Sequence, residues 1–296
     1  MADKHILHML SPLRHVSPFD VNMAVDAGFD AVLPYAGVAP DEVTGLVQDA
    51  IFSRSPKAGA RTGVFFGGRD AIATLDMMEA AKRAMVPPFV ISLFADPAGS
   101  FTTAAAMVGK VEKLLKDKRN RALAKQKLVV FGATGVVGFA SGVIAALEGA
   151  EVTLAGHDGR ARVDKAATEI HHRFGVRVHA ADASSDSLKA ALLSQADVAL
   201  CAGRAGVQIL SAAMLKTANL LVVADVNAVP PLGVEGIDVN MDGSEIAGGP
   251  LGIGALAIGQ IKYRAEFGLF RRMIEAEKPV TLDFRDAFQL ARELVG

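Results

Sequence analysis

The sequence predicts an α/β protein of two domains, on three observations. Short apolar runs alternate with longer, mixed stretches along the whole chain, which is the pattern of strand–helix–strand units. Hydrophobic residues make up 51% of the 296 positions, enough to bury parallel strands on both faces. The length fits two domains at ~100–200 residues each.

The elements follow in order. A strand is expected over 6–10. Pro18-Phe-Asp20 opens a helix behind Ser17, because proline suits the first helical position and serine caps the freed N–H groups. A strand over 31–34 and a helix starting at Pro40-Asp-Glu come next. The strand over 62–66 is closed by Gly67-Gly68, and the helix over 69–85 is halted by Pro87-Pro88. A fourth strand over 89–95 leads to a helix over 102–115. The charged run Lys116-Asp-Lys-Arg-Asn-Arg121 is either the exposed end of that helix or a linker, and the preferred reading is a short connector that ends a first domain, 1–121.

From Lys127 the alternation resumes, with strands near 128–132, 151–155, 176–180, 197–202 and 220–225 and helices between them. Beyond Asp225 come loops over 227–233 and 243–250, then helices near 255–276 and 284–294. The second domain is expected over 122–276, and the tail 277–296 is expected to fold back onto the first.

Composition excludes several function classes. A net charge of -1 gives no electrostatic case for nucleic acid or an anionic membrane surface. The single cysteine, Cys201, cannot form an internal disulfide and suits a reducing compartment. No apolar stretch approaches the ~20 residues of a membrane span. The start of the chain carries too short an apolar run for a signal peptide, so a cytoplasmic location is expected. No metal is expected. His5 and His8 point to opposite faces of a strand, and the neighbours His171 and His172 diverge on a helix.

The most informative motif is Gly132-Ala-Thr-Gly135-Val-Val-Gly138, reached through the apolar run Lys127-Leu-Val-Val-Phe131. A strand that breaks into closely spaced glycines and then into a helix lets backbone approach a pyrophosphate. The first N–H groups and the helix dipole then face its negative charge. The glycines stand at i, i+3 and i+6, a relaxed spacing, but the helix after them leads to a second strand, Glu151-Val-Thr-Leu-Ala155, as a βαβ unit requires. The second domain is therefore expected to be a Rossmann-like parallel sheet that binds NAD or NADP. Gly132, Thr134, Gly135, Val136, Val137 and Gly138 are the expected contacts, with Gly203 beyond the fourth strand.

Cofactor choice is read at the end of the second strand, Gly156-His157-Asp158-Gly159-Arg160. Asp158 suits the ribose 2′-hydroxyl of NAD, whereas His157, Arg160 and Arg162 suit the 2′-phosphate of NADP. Asp158 could equally cap the next helix. Two further segments follow strands, where open α/β sheets bind ligands. Thr102 and Thr103 can hydrogen-bond a polar ring or cap a helix. Asp225-Val-Asn227 enters a loop stiffened by Pro230-Pro231. Lys262, on the late helix, reads by itself as a surface charge.

Together these segments resemble the bacterial NAD(P)-dependent methylene-tetrahydromethanopterin dehydrogenases of methylotrophs. The resemblance rests on Pro18-Phe-Asp20-Val, Gly99-Ser100-Phe-Thr102-Thr103-Ala-Ala-Ala106, the glycine turn, Val223-Ala-Asp225-Val-Asn227-Ala-Val-Pro230-Pro231-Leu-Gly233 and Leu251-Gly-Ile-Gly254-Ala-Leu. It runs from Phe19 to near the C-terminus; the Asn227 loop and the threonine pair are specific to this family, and the glycine turn is not. The strictly NADP-dependent form has a basic pair where this chain has His157-Asp158, so the resemblance implies use of either nucleotide.

It also implies the reaction. A hydride leaves the carbon that bridges two nitrogens of the reduced pterin, and a methenyl cation remains. No protein base is needed. By resemblance, Asp20 is the carboxylate that suits the new charge, Thr102, Thr103 and Asn227 place pterin or nicotinamide, and Lys262 joins the catalytic set. The family further implies a homo-oligomer. The alternatives are a methylene-tetrahydrofolate dehydrogenase, whose lysine and tyrosine pattern is not evident here, and a non-catalytic NADP sensor.

Overall fold

The computed structural model describes residues 3–246 and 249–296. In chain order the first elements are β1 (Ile6–Ser11), α1 (Pro18–Ala27), β2 (Ala31–Ala36), α2 (Val43–Phe52), β3 (Thr62–Phe66), α3 (Ala71–Ala84), β4 (Ser92–Ala95) and α4 (Ser100–Arg119). Next come β5 (Lys127–Phe131), α5 (Val136–Leu147), β6 (Glu151–Gly156), α6 (Ala161–Phe174), β7 (His179–Asp182), α7 (Asp186–Leu193), β8 (Val198–Cys201), α8 (Ala212–Thr217) and β9 (Val222–Asp225). The chain closes with β10 (Asp242–Glu245), β11 (Leu251–Ile253), α9 (Ala255–Glu275), β12 (Thr281–Leu282) and α10 (Phe284–Val295). Two compact units emerge: Met1–Thr102 with Tyr263–Leu290, and Thr103–Lys262 with Ala291–Gly296.

The first unit is a five-stranded parallel sheet in the order β12-β4-β3-β1-β2. Its strands are short and apolar, and β3 and β4 are buried along their whole length. A cluster of Phe65, Phe94 and Phe270, with ring centroids 5.2–5.4 Å apart, anchors its core. α1 starts as expected: Pro18 stands in its first turn, and the Ser17 hydroxyl accepts the Asp20 N–H at 3.4 Å.

The second unit is a seven-stranded sheet in the order β10-β11-β9-β8-β5-β6-β7, parallel except for β10. Taken from β7 to β11, this is the 3-2-1-4-5-6 order of the doubly wound dinucleotide fold. β8 and β9 are buried at every residue, as two covered faces require.

Three local expectations are corrected. The helix expected over 102–115 is α4, and the first four residues of the charged run, Lys116 to Arg119, form its last turn instead of a connector. Lys116, Lys118 and Arg119 complement the negative end of the helix dipole there, and the chain leaves the helix at Asn120, with φ 50. Leu251–Ile253, between the loop expected to 250 and the helix expected near 255, pairs with Val222–Ala224 as β11. Asp242–Glu245, which runs into the loop expected from 243, adds an antiparallel edge. Neither short strand has enough residues to show an alternation in sequence.

Candidate functional site

In the second unit the chain runs from β5 outward to β6 and β7, then returns across the sheet to β8. The carboxyl ends of β5 and β8, paired at Phe131 and Cys201, therefore form the switch point where such sheets hold a dinucleotide. Gly132 turns the chain here with φ +74, and a Cβ on it would lie 2.3 Å from Ala202 O and 2.6 Å from Gly203 N. Only glycine lets the two loops pass this close. Gly138 packs the helix onto the turn in the same way, since a Cβ there would lie 2.4 Å from Gly132 O.

The Gly135 N–H donates to Gly132 O at 3.0 Å and sets up α5, which has no side-chain cap. The N–H groups of Val136, Val137 and Gly138 point out of the first turn with no intrahelical acceptor, and Thr134 and Gly135 are exposed beside them. Side chains would fill this cradle, and backbone donors line it. It fits a pyrophosphate.

At the end of β6 the side chains of His157 and Asp158 are 75% and 45% exposed. Asp158 Oδ2 accepts from Arg162 Nη1 at 3.4 Å, and Arg160 pairs with Asp164 at 3.1 Å. α6 takes no side-chain cap, so Asp158 serves an ion pair and not a helix start.

The loop after β9 is built on two buried side chains. The Asp225 carboxylate accepts the N–H of Asn227 at 3.0 Å and of Val234 at 3.1 Å, and burial raises its pKa against those hydrogen bonds. Asn227 uses both ends of its amide: Oδ1 accepts from Val229 N at 2.9 Å and Gly206 N at 3.3 Å, and Nδ2 donates to Pro231 O at 3.0 Å. The structure thus joins Asn227 to the loop that follows Gly203.

In the first unit, a cleft of about 320 Å³ opens beyond the carboxyl ends of β1 and β3. Ser11, Ser17, Asp20, Gly68 and Arg69 lie on its wall, and Asp20 is 3% exposed. Thr102, in the first turn of α4, is fully buried. Its hydroxyl lies 2.6 Å from Asp96 Oδ2, and Asp96 Oδ1 also accepts the Phe101 N–H at 2.8 Å. Asp96 therefore caps the start of α4, and Thr102, inside that helix, gives its hydroxyl to the cap, while Thr103 is half-buried in the second unit. Lys262, half-buried on α9, belongs to the second unit as well.

Sequence reasoning passed over Ser11 and Arg69 on the cleft wall, and Asp96 and Asp225 as organisers. Asp225 ends a buried strand and Asp96 directly follows one, and that position was the available signal. Among the described residues no group of His, Cys, Asp and Glu could hold a metal ion, and no helix is long and apolar enough to cross a membrane.

Residues 18–98 match the family profile described as "Methylene-tetrahydromethanopterin dehydrogenase, N-terminal". The chain is 53% identical over 295 residues to the NAD(P)-dependent methylenetetrahydromethanopterin dehydrogenase of Methylorubrum extorquens, covering 99% of each chain. It is 36% identical over 282 residues to the bifunctional protein MdtA of the same organism, covering 94% of each. Two solved structures share the fold. Shikimate 5-dehydrogenase from Listeria monocytogenes matches with a TM-score of 0.53 at 16% identity, over 99% of this chain and 96% of that one. A 5-ketofructose reductase from Gluconobacter matches with a TM-score of 0.51 at 18% identity, over 99% of both.

Proposed function

The chain belongs to the methylene-tetrahydromethanopterin dehydrogenase family, and from that premise we propose how its residues divide the work. It is an NAD(P)-dependent oxidoreductase that interconverts N5,N10-methylene-tetrahydromethanopterin and the methenyl form. The observation that carries this reading is 53% identity over 99% of the chain to an enzyme of that name.

The reaction asks little acid–base chemistry of the protein. The lone pairs of the two flanking nitrogens expel the hydride, and the product cation is shared between them. The bound nicotinamide supplies the hydride acceptor. The chain's own task is to hold donor and acceptor in contact and to stabilise positive charge as it develops.

The glycine turn and the N-terminus of α5 hold the pyrophosphate, and Gly203 lets the second loop close on it. His157, Asp158 and Arg160 face the adenosine ribose, where an acid and bases side by side accept either nucleotide. The cleft of the first unit takes the pterin. Asp20 has left water there, so its carboxylate acts on the developing cation with little screening. Thr103, Asn227 and Lys262 place the pterin and the nicotinamide, and Thr102 fixes the helix start that carries Thr103.

The N-terminal domain is in this reading the pterin-binding part, and the sheet of β5–β11 the nucleotide-binding part. A homo-oligomer in a reducing, cytoplasmic compartment completes the proposal, supported by the apolar composition and the one buried cysteine. The test is nucleotide reduction by purified protein with methylene-tetrahydromethanopterin and methylene-tetrahydrofolate, each with NAD and NADP. Turnover with the first pterin and both nucleotides is expected. Turnover with the folate alone would reassign the substrate, and none with either pterin would point to a nucleotide sensor.

A further inference from the structure

The loop that follows β9 closes on a single carboxylate. Asp225 is 1% exposed. It accepts N–H groups from both ends of the segment 226–234: Asn227 at one end and Val234 at the other. The approach at Gly233 is close enough that a Cβ there would lie 2.7 Å from Asp225 Oδ1. Within the loop, Asn227 spends its amide on Val229, Pro231 and Gly206, so the loops after β8 and β9 are fastened together. These loops stand on the β8 side of the switch point, away from β6, whose end meets the adenosine ribose. In a doubly wound sheet the dinucleotide lies across that point, so its nicotinamide half falls on the β8 and β9 side.

We propose that Asp225 is a positioning residue for the nicotinamide half of the cofactor, acting through Asn227 and the backbone of the 226–234 loop. The inference rests on the reading of the second unit as the nucleotide-binding part. Replacing the carboxylate by an amide sets an NH₂ group against a backbone N–H. The loop then loses one fastening while the glycine turn and the end of β6, which hold the adenosine diphosphate, keep theirs.

The test uses calorimetric titration of the full chain with NAD and, separately, ADP. In Asp225→Asn the NAD Kd should rise at least about tenfold, the scale of one buried donor left unpaired, while the ADP Kd stays within about twofold. Gly233→Ala presses on the same contact from the loop side and leaves the carboxylate in place. It should give the same split, and the double variant should cost less than the sum of the two. Equal losses for NAD and ADP, or no loss in either variant, would overturn the positioning role. Failure of the unaltered protein to bind either ligand would instead remove the nucleotide reading beneath it.

Discussion

In the proposed mechanism Asp20 is the residue on which rate enhancement turns. A carboxylate at 3% exposure beside a product cation is worth more in the transition state than in the neutral substrate, which is the condition for a faster step. Asp20→Asn should lower the turnover number about ten- to a thousandfold, the effect of losing one preorganised electrostatic contact, with nucleotide binding nearly intact. If the carboxylate only complements the dipole of α1, the variant costs about 1 kcal/mol of stability or less and turns over normally. Single-turnover hydride transfer measured alongside the melting temperature separates the two. In the same reading Asp158 governs a different quantity. Its removal frees Arg162, now 3.4 Å away, to meet a 2′-phosphate, so Asp158→Ala should move the ratio of catalytic efficiencies toward NADP. A ratio that holds, or moves toward NAD, would show that this carboxylate does not face the ribose. At the glycine turn, Gly135→Asp puts bulk and negative charge where the proposal seats the pyrophosphate. Nucleotide affinity should fall steeply in a variant shown to be folded, and an unchanged Kd by calorimetry would contradict the cradle.

Elements differ in how far sequence alone reveals them. The strand–turn–helix of β5 and α5 was legible because its signals are local: an apolar run, then glycines at positions where a Cβ would strike backbone. β11 was not, because three residues show no period and its pairing with β9 depends on chain far away in sequence. The same limit hid the tasks of polar residues. Thr102 reads equally as ligand or cap until Asp96 is seen 2.6 Å from its hydroxyl. Asn227 was singled out from its loop, but its tie to Gly206 appears only when β8 and β9 lie side by side. At the element scale β1 and its approach carry a pH signature. Burial, followed by the Arg61 charge for His5 and the Arg54 charge for His8, holds both imidazoles below the ordinary 6.5. A lowered histidine pKa means that the unfolded chain binds more protons in the window below 6.5, so stability falls as pH drops through it. Thermal denaturation between about pH 7.5 and about pH 5.5 should show this loss, and His8→Gln should lose less than the unaltered chain. Equal losses would remove His8 from the account.

For the whole molecule, the sequence predicted two α/β sheets and a dinucleotide crevice, and both sheets are present, with the 3-2-1-4-5-6 order in the second. The solved structures that share the fold do not name the substrate. The family does, and it accounts for a site without an evident acid–base pair. The central claim is that hydride passes directly from the bridging carbon to the nucleotide, with no proton taken by the protein. Deuterium on the methylene bridge tests it most directly. Mass spectrometry of the reduced nucleotide after turnover in ordinary water should find one deuterium per molecule, and unlabelled substrate in deuterated water should leave none. Reduced nucleotide labelled from solvent, or free of substrate deuterium, would contradict direct transfer.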